Sequence, residues 1–349
     1  MNRRQMLCSL AAGGLSPFVA GAAGSRKTKL GICVESSRAR AKMPRPDKQL
    51  PLADPLNYLE YCHSLGAGGI QVALRKQDEA YCSKLRRKAE EYGMFIEGMS
   101  SLPRDKSDIG RFEDEVRTAK QAGADVIRVT LVSGRRYENY DSDDHFRREV
   151  SKAIESARMA EPVAARHRIR LAIENHKDHR IGERLDMLKQ LNSEYLGLCL
   201  DTGNNVAMLE DPMEVVEAFA PHAFTVHLKD AAVKESENGF LLIDLPLGEG
   251  FLDLPRMVQV IRKVKPGIRF TLELITRNPL EVPCLTDKYW AAMSEVPGRD
   301  LARTLRMVRA NTHRKPLPRI SEMPLDELVG LEEENIKRSL AYAREHLGL

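Results

Sequence analysis

From residue 29 onward, short β-rich runs alternate with charged helical stretches, and this alternation constrains the fold more than any other feature. The runs are KLGICVES (29–36), GGIQVAL (68–74), MFIEGMS (94–100) and DVIRVTL (125–131), then IRLAIENH (169–176), LGLCLDTGN (196–204), FTVHLKDA (224–231) and RFTLELI (269–275). Helical stretches such as 112–123 and 148–167 lie between them. Eight strands with a helix between each pair predict an α/β fold, a closed (β/α)8 barrel. A doubly wound open sheet is the rival arrangement.

The pleat favours closure. Successive side chains of a strand point to opposite faces. In the fifth run Leu171 and Ile173 oppose Ala172 and Glu174; in the sixth Leu198 and Leu200 oppose Cys199 and Asp201. In the seventh Phe224, Val226 and Leu228 oppose Thr225, His227 and Lys229; in the eighth Phe270, Leu272 and Leu274 oppose Thr271 and Glu273. One face is large and apolar, for packing under helices. The other carries a small residue and then an ionisable one, as a barrel interior and its C-terminal mouth require. By the same alternation Glu35, Gln71, Glu97 and Arg128 face inward on the first four runs. An open sheet would not need a polar inward residue on every strand.

The chain divides into three segments. Residues 1–24 begin with Arg3 and Arg4, continue through a Gly/Ala-rich apolar stretch and offer Ala20-Gly21-Ala22 as a cleavage site. This is the pattern of a twin-arginine-like export signal, and it predicts a periplasmic or otherwise exported protein with no stable membrane insertion after cleavage. Residues 25–312 form the barrel, with a long proline-containing loop after the eighth strand. Residues 313–349 form a C-terminal helical extension that caps or dimerises the barrel, so a homo-oligomer is one expectation. Cleavage would leave five cysteines, an odd number without CxxC spacing, read as buried reduced thiols. A bridge between Cys62 and Cys82 is the alternative. Lys+Arg 54 against Asp+Glu 50 is too mild a balance for a dedicated nucleic-acid binder.

The chemistry concentrates on Glu174, Asp201, His227 and Glu273, at one height on four successive strands. Each could be a separate inward polar residue satisfied by neighbours or water. Three carboxylates and an imidazole converging at one mouth would repel one another unless a cation sat between them. An oxygen-rich set with one nitrogen and no thiolate favours Mn²⁺, Mg²⁺ or Co²⁺ over Zn²⁺. The segments LAIENH, CLDTGNN, TVHLKD, LGEG and TLEL resemble the xylose-isomerase-like TIM-barrel family of sugar phosphate isomerases and epimerases. The resemblance implies a TIM barrel in which the same four residues, Glu174, Asp201, His227 and Glu273, hold the metal. It implies no single substrate, because the family hosts epimerases, dehydratases and endonucleases. The endonuclease branch carries extra histidines for a multi-zinc cluster, and no matching set occurs here.

Around the ligands stand candidate substrate contacts. His176 and Lys229 lie two residues beyond Glu174 and His227, on the same faces. Asn204 either bonds the substrate or shapes the Asp-Thr-Gly-Asn turn; family epimerases often carry histidine there. Arg277 follows the eighth strand, Glu97 faces inward on the third, and Trp290, the only tryptophan, lies in the long loop. That loop is expected to act as a lid, with Trp290 as either a sugar platform or an apolar anchor. The expected activity is proton transfer beside the carbonyl of a keto-sugar or cyclitol through an enediolate, with Glu174 and Glu273 as bases and Lys229 as a cation. The alternatives are a dehydratase or other lyase using the same intermediate, and a non-catalytic sugar-binding barrel.

Overall fold

The computed structural model describes residues 27–43, 52 and 54–349. The segment read as an export signal, with Cys8, lies outside them. Eight parallel strands close into a barrel: β1 (Gly31–Cys33), β2 (Gly69–Ala73), β3 (Phe95–Met99), β4 (Val126–Val129), β5 (Arg170–Glu174), β6 (Leu196–Asp201), β7 (Ala223–Leu228) and, eighth around the ring, β10 (Phe270–Leu272). Closure is direct, since β1 pairs with β10 on one side and β2 on the other, with Ile32 opposite Leu272 and Ile70. The open-sheet alternative is therefore excluded.

The intervening helices are α1 (Pro55–Ser64), α2 (Glu79–Tyr92), α3 (Ile109–Gln121), α4 (Arg136–Asn139), α5 (Asp143–His167), α6 (Ile181–Leu191), α7 (Pro212–Phe219) and α8 (Leu254–Val264). Several start on a carboxylate cap. Asp54 and Asp211 each accept two backbone N–H bonds ahead of a proline at the first helical position, which lacks an N–H to satisfy. The main core lies between barrel and helices, where Ile70, Val72, Leu171, Ile173, Leu198, Leu200, Val226 and Leu228 are buried. Full burial of each such side chain stabilises by about 1.5–3 kcal/mol.

Three features depart from the simple repeat. The seventh run splits, so that β7 ends at Leu228 and β8 (Asp230–Ser236) turns away to pair antiparallel with β9 (Gly239–Leu245). The long loop after β10 is built rather than bare: β11 (Leu280–Val282) adds to β9, followed by α9 (Asp287–Trp290) and α10 (Gly298–Ala310). These pieces share a second apolar core of Tyr137, Met208, Val233, Phe240, Val282, Tyr289, Met293 and Val308. Because they follow the C-terminal ends of β4, β6, β7 and β10, that core stands at the mouth side of the barrel. Finally, α11 (Leu325–His346) sends Ile336, Leu340 and Ala343 into the main core. Glu332 on it accepts N–H bonds from Ala39 and Arg40 at 2.7 and 2.9 Å, and the Leu347 carbonyl just past its end accepts from Arg262 of α8 at 3.0 Å. The C-terminal extension thus packs where an eighth barrel helix belongs.

The faces expected for Glu35 and Phe224 differ from those observed. Glu35 lies past the end of β1, in a short 3-10 turn (Val34–Ser37), where it is partly exposed and pairs with Arg38. Phe224 is not on the outer face. The β6–β7 register slips between Leu198 and Cys199, and the extra residue turns Phe224 onto the inward cluster of Val126, Ala172 and Cys199. Cys33, Cys62, Cys82, Cys199 and Cys284 are all buried free thiols, so no Cys62–Cys82 bridge forms.

Candidate metal centre

Glu174 and Asp201 end β5 and β6, His227 lies near the end of β7, and Glu273 directly follows β10. Asp201 pairs with His227 across β6 and β7, and His227 with Thr271 across β7 and β10. One potential ligand atom from each of the four lies within 4.8 Å of every other, and all four residues are buried. The pleat and the register together bring these four residues to one point.

The histidine is set for coordination by the layer beneath it. Its Nε2 lies 2.7 Å from Gln71 Oε1, while Gln71 Nε2 donates to Glu97 Oε2 at 3.1 Å. A carboxylate oxygen can only accept, which fixes the Gln71 amide orientation and makes its oxygen the acceptor for His227 Nε2–H. In the neutral ring Nδ1 then carries a lone pair. It faces Glu174 Oε1 at 3.5 Å and Glu273 Oε2 at 3.6 Å. Nδ1 of His227 and Oδ2 of Asp201 are buried without a hydrogen-bond partner. A buried ring nitrogen without a hydrogen-bond partner, facing two carboxylates beside an Asp201 oxygen met only by the Lys229 ammonium at 3.0 Å, is a donor set that fits a divalent ion.

The charges agree. Burial would raise the Glu174 carboxyl, but Arg128, whose guanidinium bonds Glu174 Oε2, holds it well below the usual range. Burial is likewise outweighed at Glu273, where Lys229 at 2.8 Å and His227 keep the carboxyl ionised. Asp201 is pushed up to about 6, by burial and by the charges of Glu273 and Glu174, against the pull of Lys229 at 3.0 Å. Burial lowers the His227 pKa, yet Cys199, Glu273 and Glu174 together push it well up. A proton on His227 thus competes for the place a metal would take. Cys33 also lies within reach of His227 and Glu273, but burial pushes its thiol up to about 12, so it stays protonated and is a poor ligand.

The substrate candidates separate. Asn204 is buried with both ends engaged: Nδ2 donates to Glu174 Oε1 and the Asn175 carbonyl, each at 3.2 Å, and Oδ1 accepts from Lys177 and Lys229. Glu97 lies below the centre, bonded to Gln71 and, at 2.9 Å, to Thr225. It supports the ligand histidine rather than lining the mouth. His176 turns toward the Gly134 carbonyl at 3.1 Å, and Arg277 pairs with Asp244 at 3.2 Å. Trp290 packs edge-on to Tyr289 in the second core, and its Nε1–H donates to the Cys284 carbonyl at 2.9 Å. Its polar edge is spent within its own segment, as an anchor's would be. Gly248 and Gly250 belong to a turn held by Asp230, whose Oδ2 accepts both their N–H groups at 2.9 Å. A Cβ on Gly250 would stand 2.1 Å from Asp230 Oδ1.

Three participants escape a pleat argument. Asn175 faces away from the mouth, yet it clasps Asp201 by accepting its N–H at 2.7 Å and donating to its carbonyl at 2.9 Å. Lys177 lies in the loop after β5, where no strand period applies, and Asp244 lies on β9 of the added hairpin, outside the barrel strands.

Comparison with known proteins follows the same lines. Residues 59–303 match the family described as Xylose isomerase-like TIM barrel. The 3-oxo-isoapionate decarboxylase of Pectobacterium atrosepticum is 29% identical over 266 residues, covering 74% of this chain and 89% of that protein. A D-psicose 3-epimerase crystallised with D-fructose superposes with a TM-score of 0.55 at 14% identity, covering 86% of this chain and 95% of the other. A xylose isomerase-like TIM barrel protein of Mycobacterium smegmatis in complex with magnesium gives 0.54 at 15% identity, with coverage of 81% and 97%. This chain belongs to the xylose isomerase-like TIM-barrel family.

Proposed function

We propose that this protein is a divalent-metal-dependent isomerase or epimerase, moving a proton beside the carbonyl of a keto-sugar or related polyol through an enediolate. The observation that carries the reading is the approach of Glu174 and Glu273 to His227 Nδ1, at 3.5 and 3.6 Å, both carboxylates being buried and held ionised. The oxygen-rich ligand set suits Mn²⁺, Mg²⁺ or Co²⁺, and magnesium accompanies the related Mycobacterium smegmatis protein. When bound, the ion supplies Lewis-acid polarisation of the carbonyl.

The chain's own residues do the rest. Arg128 and Asn204 fix the Glu174 carboxylate, and Lys229 fixes that of Glu273. One carboxylate takes the proton and the other returns it. The Lys229 ammonium, between Asp201 and Glu273, places positive charge where the enediolate oxygen becomes negative. A lyase is the second reading, favoured by the kinship to a 3-oxo-acid decarboxylase. Loss of CO₂ from the carbon beside the carbonyl, or of a hydroxyl one carbon further on, passes through the same kind of enolate. Export by the Arg3-Arg4 leader is part of the proposal and rests on those residues.

The test is incubation of the manganese-loaded protein with keto-sugars, inososes and 3-oxo sugar acids in D₂O. Deuterium should enter the carbon beside the carbonyl, and Glu273→Gln should abolish its entry. Release of CO₂ or water would select the lyase reading, since the enolate left by decarboxylation also takes up deuterium, and inertness towards the whole panel would contradict both.

A further inference from the structure

Lys177 is a buried cation without a counter-ion. Its side chain is inside the protein, with the residue 3% exposed, and its Nζ donates to Asn204 Oδ1. Among the described residues it forms no ion pair. Taking an ammonium out of water costs several kcal/mol unless a charge answers it. The carboxylates nearby are committed elsewhere. Asp244 Oδ2 accepts from Arg277 at 3.2 Å and from the Ile275 N–H at 3.3 Å, while Asp201 and Glu273 hold Lys229. Burial, then Lys229 and Arg277, pull the Lys177 pKa down to about 7, the response of a cation whose surroundings supply too little negative charge.

Its position links this deficit to the reaction site. Lys177 and Lys229 share Asn204 Oδ1 as acceptor, and the Nδ2 of the same amide bonds Glu174 Oε1. Lys177 therefore stands one side chain away from the metal-ligating carboxylate. Arg277 lies on the same wall, with its Nε buried and without a hydrogen-bond partner. At the centre three carboxylates face two cations, Arg128 and Lys229. On the wall two cations, Lys177 and Arg277, face Asp244 alone. With Lys177 protonated, as an incoming anion would hold it, the wall is one positive charge in excess, which suits a monoanion better than a phosphate dianion.

We propose that Lys177, assisted by Arg277, binds a carboxylate of the substrate, so that the substrate is a keto-sugar acid rather than a neutral sugar. The inference rests on the proposed reaction at the same centre and adds the class of molecule it acts on. The acid group is a handle that fixes which end of the substrate enters the mouth. A charge-assisted hydrogen bond to an otherwise unpaired ammonium is worth about 1.5–3 kcal/mol, roughly a tenfold to hundredfold effect on affinity.

The experiment compares D-erythronate, erythritol and erythritol 4-phosphate by calorimetry on manganese-loaded wild type, Lys177→Met and Arg277→Gln, with bound manganese measured in each. Wild type should bind erythronate at least about tenfold more tightly than erythritol. Lys177→Met should lose most of that preference while erythritol affinity stays level, and Arg277→Gln should lose part of it. Any contribution of the metal to the hydroxy acid is common to all three proteins and cancels in the comparison. No preference in wild type, or an undiminished one in Lys177→Met, overturns the inference, and if Lys177→Met does not fold an undiminished preference in Arg277→Gln overturns it. Tightest binding of the phosphate, lost in Lys177→Met, overturns the assignment to a carboxylate. Full manganese without an acid preference rejects the subsite and leaves the metal reading. An acid preference removed by Lys177→Met without bound manganese does the reverse.

Discussion

His227 owes its value as a ligand to Gln71, 156 positions earlier in the chain. Gln71 Oε1 accepts the hydrogen bond of Nε2–H, and Glu97 and Thr225 hold the layer beneath, so the lone pair on Nδ1 points at the carboxylates. Replacing Gln71 with leucine would remove that acceptor and leave a buried N–H unsatisfied. Gln71→Leu is expected to lower metal affinity about 10–100-fold, as loss of such an outer partner typically does, while the circular dichroism spectrum keeps its native form. Unchanged affinity in a manganese titration would show that the imidazole is oriented by something else. The four candidate ligands were legible because a strand's two-residue period states which side chains share a face. The roles of Asn204 and Glu97 were not, because an identity and a face do not say whether both ends of a side chain are already engaged. Lys177 was invisible for a different reason: it lies in the loop after β5, where no strand period says which way a side chain turns.

At the scale of elements, the strands were read by content better than by their ends. β7 and β8 form one continuous run in sequence, since nothing in FTVHLKDA marks the point where the chain leaves the barrel. The slip that turns Phe224 inward is a relation between β6 and β7, so neither strand alone could disclose it. The loop from β5 to α6 is held by a buried ion pair, Asp178 to Arg184 at 2.7 Å, with Asp178 Oδ1 also accepting the His179 N–H at 2.8 Å. Breaking such a pair leaves an uncompensated charge, and Asp178→Ala should cost about 3–5 kcal/mol in urea unfolding at neutral pH. Burial would raise the Asp178 carboxyl, but Arg184 and His179 hold it well below its unfolded value. A depressed carboxyl stabilises the fold above its unfolded pKa, about 3.9, and the contribution is lost as pH falls below that value. Wild type should therefore lose stability below about pH 4, and Asp178→Asn should show a shallower acid limb. Parallel acid limbs for the two proteins would remove Asp178 from the account.

Taken whole, the molecule is a barrel whose ring is completed by α11 and whose mouth is walled by loops that build a second core. The alternation of runs disclosed the ring because each βα unit repeats the same local pattern. The wall was read as a bare loop after β10, because β11 is three residues long and is a strand only through pairing with β9. The centre likewise belongs to no single element: β5, β6, β7 and the residue after β10 each bring one ligand. That convergence is the central claim, and the bound-metal stoichiometry of four single variants tests it most directly. After chelation and reloading with manganese, wild type should hold one ion per chain by elemental analysis. Glu174→Ala, Asp201→Ala, His227→Ala and Glu273→Ala should each hold well under half of that while retaining a cooperative thermal transition. Stoichiometric manganese in all four variants, or none in wild type, would contradict the account.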